Sequence, residues 1–383
     1  MTPAGPRPLT LDVTHLVARA AGRGFTGIEV FDRAVATRLL AEGRLAAGLH
    51  YGLWSPHVLD PAHVKRALEA RPASPIFSMA RALVPELLRG SGAIPLNAIY
   101  LNLAHYLFEH PRFFRWLPRR PDVTAVFMIH DFLPRLYPEY FPKRKLAIFE
   151  RRLATALSHG GAFVVSTAVV AEQLRGELRR LGRAEAPVLV QPLPSSLPEP
   201  PTVARSGDYF LMLGTIEPRK NHLLALNLWR RLASERRSLP RLVIVGERGW
   251  ENEQTLALLE RSPALRGNVI ERSGLAAAEL AALVKGARAL LAPSFDEGYG
   301  LPMVEALTLG TPVIASDIPV FREVSQGCAR LLSPLDGDAW AAEIIRMSED
   351  RAYEAAAREC AAQFAPPSWA GYFAALDAFL DSL

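Results

Sequence analysis

Cysteine is scarce: the chain has two in 383 residues, Cys328 and Cys360. Their spacing fits neither a zinc site nor a redox motif, which excludes a disulfide scaffold and suits a reducing compartment. Long apolar runs are also missing. No stretch approaches the ~18 uncharged apolar residues of a membrane-spanning helix. The opening residues, Met1 to Pro8, lack the apolar core of a secretory signal. A cytoplasmic protein is expected. Negative charge is in mild deficit, with a formal net charge of +5. The excess of cations implies an acidic partner: nucleotide phosphate, anionic lipid or nucleic acid.

What is present is apolar material for two cores. Half of the residues are hydrophobic, and single cores usually stop growing near ~250–300 residues. Short uninterrupted apolar runs alternate with amphipathic stretches along the whole chain. In the first half these are Leu9 to Val13, Val123 to Ile129 and Phe163 to Ser166, with helical patterns over Ile28 to Leu40 and Val170 to Leu181. Such alternation indicates parallel strands covered by helices on both faces. A proline-dense passage, Gln191 to Pro201, can continue neither a helix nor a central strand, so a boundary is expected between domains 1–197 and 198–383. Beyond it the alternation resumes, with strands at Tyr209, Leu242, Asn268, Ala289 and Pro312. Two Rossmann-like layers facing each other across a cleft are the expected α/β architecture.

In open sheets of this kind ligands bind where strands end. After Leu213 comes Gly214-Thr215-Ile216-Glu217-Pro218-Arg219-Lys220-Asn221, a glycine turn with two adjacent cations suited to a diphosphate. After Val245 comes Gly246-Glu247-Arg248-Gly249. After Ala292 the chain reads Ser294-Phe295-Asp296-Glu297-Gly298-Tyr299-Gly300-Leu301-Pro302-Met303-Val304-Glu305. Two carboxylates, Glu297 and Glu305, flank a glycine-rich turn that opens a helix. Free amides at such a turn favour phosphate, and carboxylates accept sugar hydroxyls. A nucleotide sugar has both.

These residues resemble the donor-binding half of the retaining family 4 glycosyltransferases with the GT-B fold, over residues 209 to 325. The turn at Gly214, the Leu-Val-Ile-Val-Gly strand, the Glu297 to Glu305 segment and Gly310-Thr311-Pro312-Val313-Ile314-Ala315 carry the resemblance. It implies that Glu297 contacts the transferred sugar, that the backbone of Gly298, Tyr299, Gly300 and Leu301 holds the distal phosphate, and that Glu305 binds ribose. It further implies that Gly214, Arg219 and Lys220 meet the pyrophosphate. In the first half, Ile129-His130-Asp131 resembles the family's strand-end histidine at the reaction centre, and Val165-Ser166-Thr167 its serine-bearing turn. Gly22-Arg23-Gly24-Phe25-Thr26-Gly27 formally matches a dinucleotide motif, but resembles more the family's Thr-Gly-Ile loop over the diphosphate, with Gly27 as the donor contact.

The same resemblance implies a hexosyltransferase that needs no metal and no cofactor beyond its nucleotide-sugar co-substrate. A GDP-sugar such as GDP-mannose is favoured as donor, a glycan or lipid-linked oligosaccharide in surface polysaccharide biosynthesis as acceptor, and nucleic acid is not a partner. A last helix, about 367–383, should cross back onto the first domain. Asp336-Gly337-Asp338 looks like a metal-binding pair yet is placed to cap a helix. The segment from Phe108 to Arg120 alternates aromatic and cationic residues; it could lie against anionic headgroups at the inner membrane face or form a partly buried loop with solvated arginines. Two other classes of function remain open on the residues alone: an NAD-dependent oxidoreductase using the Gly22 to Gly27 loop, and a catalytically silent GT-B partner subunit.

Overall fold

A computed structural model describes residues 6–19, 27–51, 56–69, 93–105, 107–200, 207–235 and 240–383. The first sheet contains β1 (Leu9–Asp12), β2 (Leu45–Tyr51), β3 (Pro56–Leu59), β4 (Ile99–Asn102), β5 (Thr124–Ile129), β6 (Ala162–Val165) and β7 (Val188–Val190), in the order β3-β2-β1-β4-β5-β6-β7. Only the β2–β3 pairing is antiparallel. The second contains β8 (Tyr209–Leu213), β9 (Arg241–Val245), β10 (Val269–Arg272), β11 (Ala289–Ala292), β12 (Val313–Ser316) and β13 (Ala329–Leu332), in the order β10-β9-β8-β11-β12-β13, with every pairing parallel. Each chain order reverses once, between β1 and β4 and between β8 and β11. That reversal leaves a crevice at the carboxyl ends of the strands.

Each sheet is covered on both faces, which explains why its central strands read as unbroken apolar runs. In β5, Ala125 to Ile129 are all buried; in β11, Leu290 and Leu291 are. The helix Trp369–Asp381 does not pack on the second sheet. Its Tyr372, Leu376 and Leu380 enter the core of the first, together with Leu9, Leu11 and Val35. Asp377 binds Arg38 at 2.9 Å and also pairs with Arg44, whose second arm meets Asp381 at 2.8 Å. The expectation of a returning last helix is met by apolar burial with an ionic rim.

The linker runs from Gln191 to Pro200 without regular structure. It is pinned by Tyr299, whose hydroxyl donates to the Leu193 carbonyl at 2.7 Å. Other bonds hold the two layers together. The Glu323 carboxylate accepts from the amides of Ala168 and Val169 at 2.7 and 3.2 Å, so a residue of the second layer caps a helix of the first, Ala168–Arg180. Tyr140 stacks on Phe295 with centroids 5.3 Å apart, and Trp250 Nε1 donates to the Tyr140 carbonyl at 2.9 Å.

Of the two readings of Phe108 to Arg120, the structure has the partly buried loop: Phe108, Phe113, Phe114 and Leu117 are buried in the first layer's core, and Trp116 Nε1 donates to the Tyr51 hydroxyl at 3.0 Å. Packing against Tyr100 and Phe127 takes up those rings, while Arg112, Arg115 and Arg119 stay exposed. Asp336 caps the helix Gly337–Glu349, accepting from the Ala339 amide at 3.0 Å, and Asp338 pairs with Arg231 at 2.7 Å. Among the described residues no helix is long and apolar enough to cross a membrane.

Candidate active site in the interlayer cleft

A cavity of about 710 Å³ lies between the layers, lined from the first by Gly27, His130, Asp131 and Ser166 and from the second by Gly214, Lys220, Glu297, Gly298, Tyr299, Gly300, Leu301 and Glu305. Ten of the eleven residues singled out from the sequence therefore meet at one surface. The loops that bring them there follow β1, β5, β6, β8 and β11, as the strand-end rule requires. Gly22 to Thr26 lie outside the described residues.

The turn after β8 splits its two cations. Pro218–Lys220 form one 3₁₀ turn and Asn221 takes a left-handed φ of 54°, so neighbouring side chains leave in different directions. Lys220 reaches the cavity. Arg219 is buried behind it, 9% exposed, and is not part of the cavity wall. Its guanidinium binds Glu217 at 2.5 Å, Glu297 at 2.7 Å and the Asp296 carbonyl at 2.7 Å. The expected pair of ligand-facing cations is thus one cation at the wall and one holding the carboxylate beside it. Gly214 turns with a φ of 125°, and a Cβ there would lie 3.3 Å from Lys220 Cε.

Glu297 sits at the centre of this network. Lys220 Nζ donates to its Oε1 at 2.5 Å and Ser294 Oγ to the same atom at 2.8 Å, while Arg219 meets Oε2. Burial alone would raise its carboxyl, but Arg219 and Lys220 outweigh that and hold it at about 2, ionised at any working pH. Glu305 is the opposite case. It is equally buried, with no compensating charge, and burial raises it to about 8. One carboxylate is fixed as an anion and the other keeps its proton near neutrality. The first is built to accept hydroxyls at once, the second when a ligand supplies donors.

Gly298 is a point of close approach between the layers. A Cβ there would stand 2.5 Å from the His130 carbonyl oxygen and 2.7 Å from Asp131 Cβ, and the Thr167 hydroxyl donates to the Gly298 carbonyl at 3.2 Å. The helix Leu301–Thr308 follows with no side-chain cap; Pro302 has no N–H and the Met303 amide bonds to the Gly300 carbonyl at 2.9 Å, so the amides that meet no described acceptor are those of the turn before it, Gly298 to Leu301. Gly298→Ala should hold the cleft ajar, lowering kcat/KM about tenfold or more. A wider radius of gyration by small-angle scattering should accompany the loss.

Across from Glu297, His130 Nε2 lies 2.7 Å from the Leu103 carbonyl. A carbonyl only accepts, so the proton sits on Nε2 and Nδ1 is left as an acceptor. Burial lowers the imidazole to about 4, so it is neutral in the cleft. Asp131, which lines the cavity beside it, was not foreseen as a site residue; burial raises its carboxyl, against the Arg219 charge. Its position one residue past a strand-end histidine was the available signal.

Residues 199–364 match the family described as glycosyl transferases group 1. The chain is 32% identical over 279 residues to O-antigen chain mannosyltransferase B of Escherichia coli, covering 69% of this chain and 71% of that one. The chain belongs to the group 1 glycosyltransferases. It is also 30% identical over 226 residues to the serotype-specific mannosyltransferase WbdA of Escherichia coli, spanning 54% of this chain and 28% of that relative's length. The fold of this glycosyltransferase is similar to that of sucrose-phosphate synthase from Thermosynechococcus elongatus, with a TM-score of 0.65 over 97% of both chains at 18% identity. That likeness concerns architecture alone and places the two layers among GT-B proteins. Membership makes the glycosyltransferase a transferase, and the oxidoreductase alternative is set aside.

Proposed function

We propose that this chain transfers a hexose, with mannose favoured, from a GDP-sugar to a glycan or lipid-linked glycan acceptor in surface polysaccharide assembly. The observation that carries the reading is the gathering of Lys220, the uncapped helix at Leu301, the ionised Glu297 and the protonated Glu305 around one cavity. The two relatives named as mannosyltransferases support the choice of sugar, and the one named for the O-antigen chain supports the pathway class.

In this reading Lys220 and the amides of Gly298 to Leu301 receive the diphosphate, Gly214 and Gly27 let the backbone approach it, and Tyr299 holds the turn in place. Glu305 takes the ribose hydroxyls. Glu297 and His130 Nδ1 accept hydroxyls of the transferred ring, and Arg219 orients Glu297 from behind. The acceptor oxygen bonds to the anomeric carbon on the face from which the diphosphate departs, the carbon–oxygen bond to phosphate breaks, and the hydroxyl proton passes to the leaving phosphate oxygen. Configuration is retained through an oxocarbenium-like state. The positive charge that stabilises the leaving group comes from Lys220 and the helix terminus, without a metal.

A thermal-shift series with GDP-, UDP- and dTDP-sugars tests the donor. At ~100 times Kd a ligand adds about 2.7 kcal/mol to the folded state. GDP-mannose should therefore raise Tm by several degrees and the UDP and dTDP compounds by much less. Equal shifts for the three bases, or none, would remove the GDP-sugar assignment.

A further inference from the structure

Beside the donor cavity, on the first layer's side, lies a second cavity of about 400 Å³ that shares Ile28, His130 and Asp131 with it. His105 forms part of its floor. This residue holds a left-handed φ of 53° that non-glycine residues seldom adopt, its ring lies 5.3 Å from that of His130, and its Nε2 is buried without a hydrogen-bond partner. Strain and an orphaned donor or acceptor in one residue beside a reaction centre mark a position maintained for a ligand.

The wall of this cavity is aromatic. Phe141 and Phe149 come from the first layer, and Trp250 is carried across the cleft on the loop after β9. Trp250 packs 6.1 Å from Phe141, and Lys145 Nζ sits 3.0 Å over its ring. The cations at the rim are already matched: Lys145 by the Trp250 face, and Arg152 by Glu109, with the two ends of a forked pair at 2.8 and 3.3 Å. Lys145 also feels the Glu217 carboxylate, and the buried Asp131 adds a further carboxyl to the wall. Among the described residues, an anion placed here would meet that carboxyl and find no cation without an acidic or aromatic partner.

We propose that this second cavity takes the terminal sugar of an uncharged glycan acceptor, its ring against Trp250 and the phenylalanines and its hydroxyls bonded to His105 and Asp131. The inference rests on the donor reading above, since the shared wall of His130 and Asp131 is what brings the acceptor oxygen to the anomeric carbon. Because Trp250 belongs to the second layer, the acceptor site is complete only with the layers closed. An acceptor whose first recognised group is a lipid phosphate does not fit.

Saturation-transfer NMR on the full chain, with GDP present, tests this. The probes are the methyl and octyl glycosides of the common hexoses and N-acetylhexosamines, with farnesyl phosphate as the anionic lipid. At least one neutral glycoside should saturate, and farnesyl phosphate should not compete. Trp250→Ala should weaken that glycoside roughly tenfold, Trp250→Phe by no more than about threefold, and His105→Asn, which tolerates the left-handed backbone, should weaken it measurably. GDP affinity by calorimetry should be the same in all three, which also shows that they fold. Failure of every neutral glycoside, competition by farnesyl phosphate, or full glycoside affinity in Trp250→Ala would overturn the proposal. Failure of GDP itself to bind the unaltered chain would instead overturn the donor reading.

Discussion

Glu297→Ala is expected to lower kcat/KM by roughly 10²-fold or more, because two kinds of interaction disappear together. The carboxylate's charge-assisted bonds to sugar hydroxyls are each worth about 1.5–3 kcal/mol. Its removal also takes the carboxylate from Lys220, which meets it at 2.5 Å, and leaves Arg219, at 2.7 Å, with Glu217 and the Asp296 carbonyl only. Breaking a buried pair from one side typically destabilises by about 3–5 kcal/mol, so the loss of activity should come with a lowered Tm. Glu297→Gln separates the two effects. It keeps the volume and one acceptor oxygen, so Lys220 stays partly satisfied and stability should recover more than turnover does. Turnover unchanged in Glu297→Ala would take this residue out of the reaction.

The second large effect is a pH dependence of the empty protein. Glu305 has its carboxyl raised from 4.5 to about 8 by burial. Below pH 4.5 both folded and unfolded chains carry the proton and nothing changes. Between 4.5 and 8 the unfolded chain releases it while the folded one does not, so stability falls as pH rises, and above 8 the loss is complete. The upper limit from this one group is on the order of 4 kcal/mol. Glu305→Gln should flatten that part of the profile, measured by urea unfolding across pH 5 to 9, and raise stability at the alkaline end. If Glu305 holds ribose, the same variant should bind nucleotide more weakly. A profile identical to that of the unaltered chain would mean that water or a shifted side chain reaches the carboxylate.

Much of the second layer was legible before its coordinates. Three of its strands, β8, β9 and β11, are runs of hydrophobic residues ended by Gly214, Gly246 and Pro293, and the strand-end rule turns those punctuation points into a set of loops at one edge. In the first layer β2, β3, β4 and β7 escaped notice. β4 has four residues and β7 three, too few to show a period, and β3 is an antiparallel edge holding Pro56 and His57, both partly exposed. Adjacent residues also hide their fates: nothing in Arg219-Lys220 says that one side chain lines the cavity and the other supports Glu297, because that depends on the turn's handedness at Asn221. Trp250 lay one residue beyond the Gly246 to Gly249 turn that the rule identified. Its importance depends on the opposite layer, and no local pattern encodes a partner more than a hundred residues away.

The returning helix Trp369–Asp381 means that the first layer's core is interrupted in the chain. On a ribosome, residues 6–200 emerge long before the segment that seals them, since Tyr372, Leu376 and Leu380 follow the whole second layer. The amino-terminal layer therefore cannot mature ahead of the carboxyl-terminal one, as successive domains commonly do. Severed at the linker, it would leave an oily seam uncovered, and the two halves should regain solubility only when co-expressed.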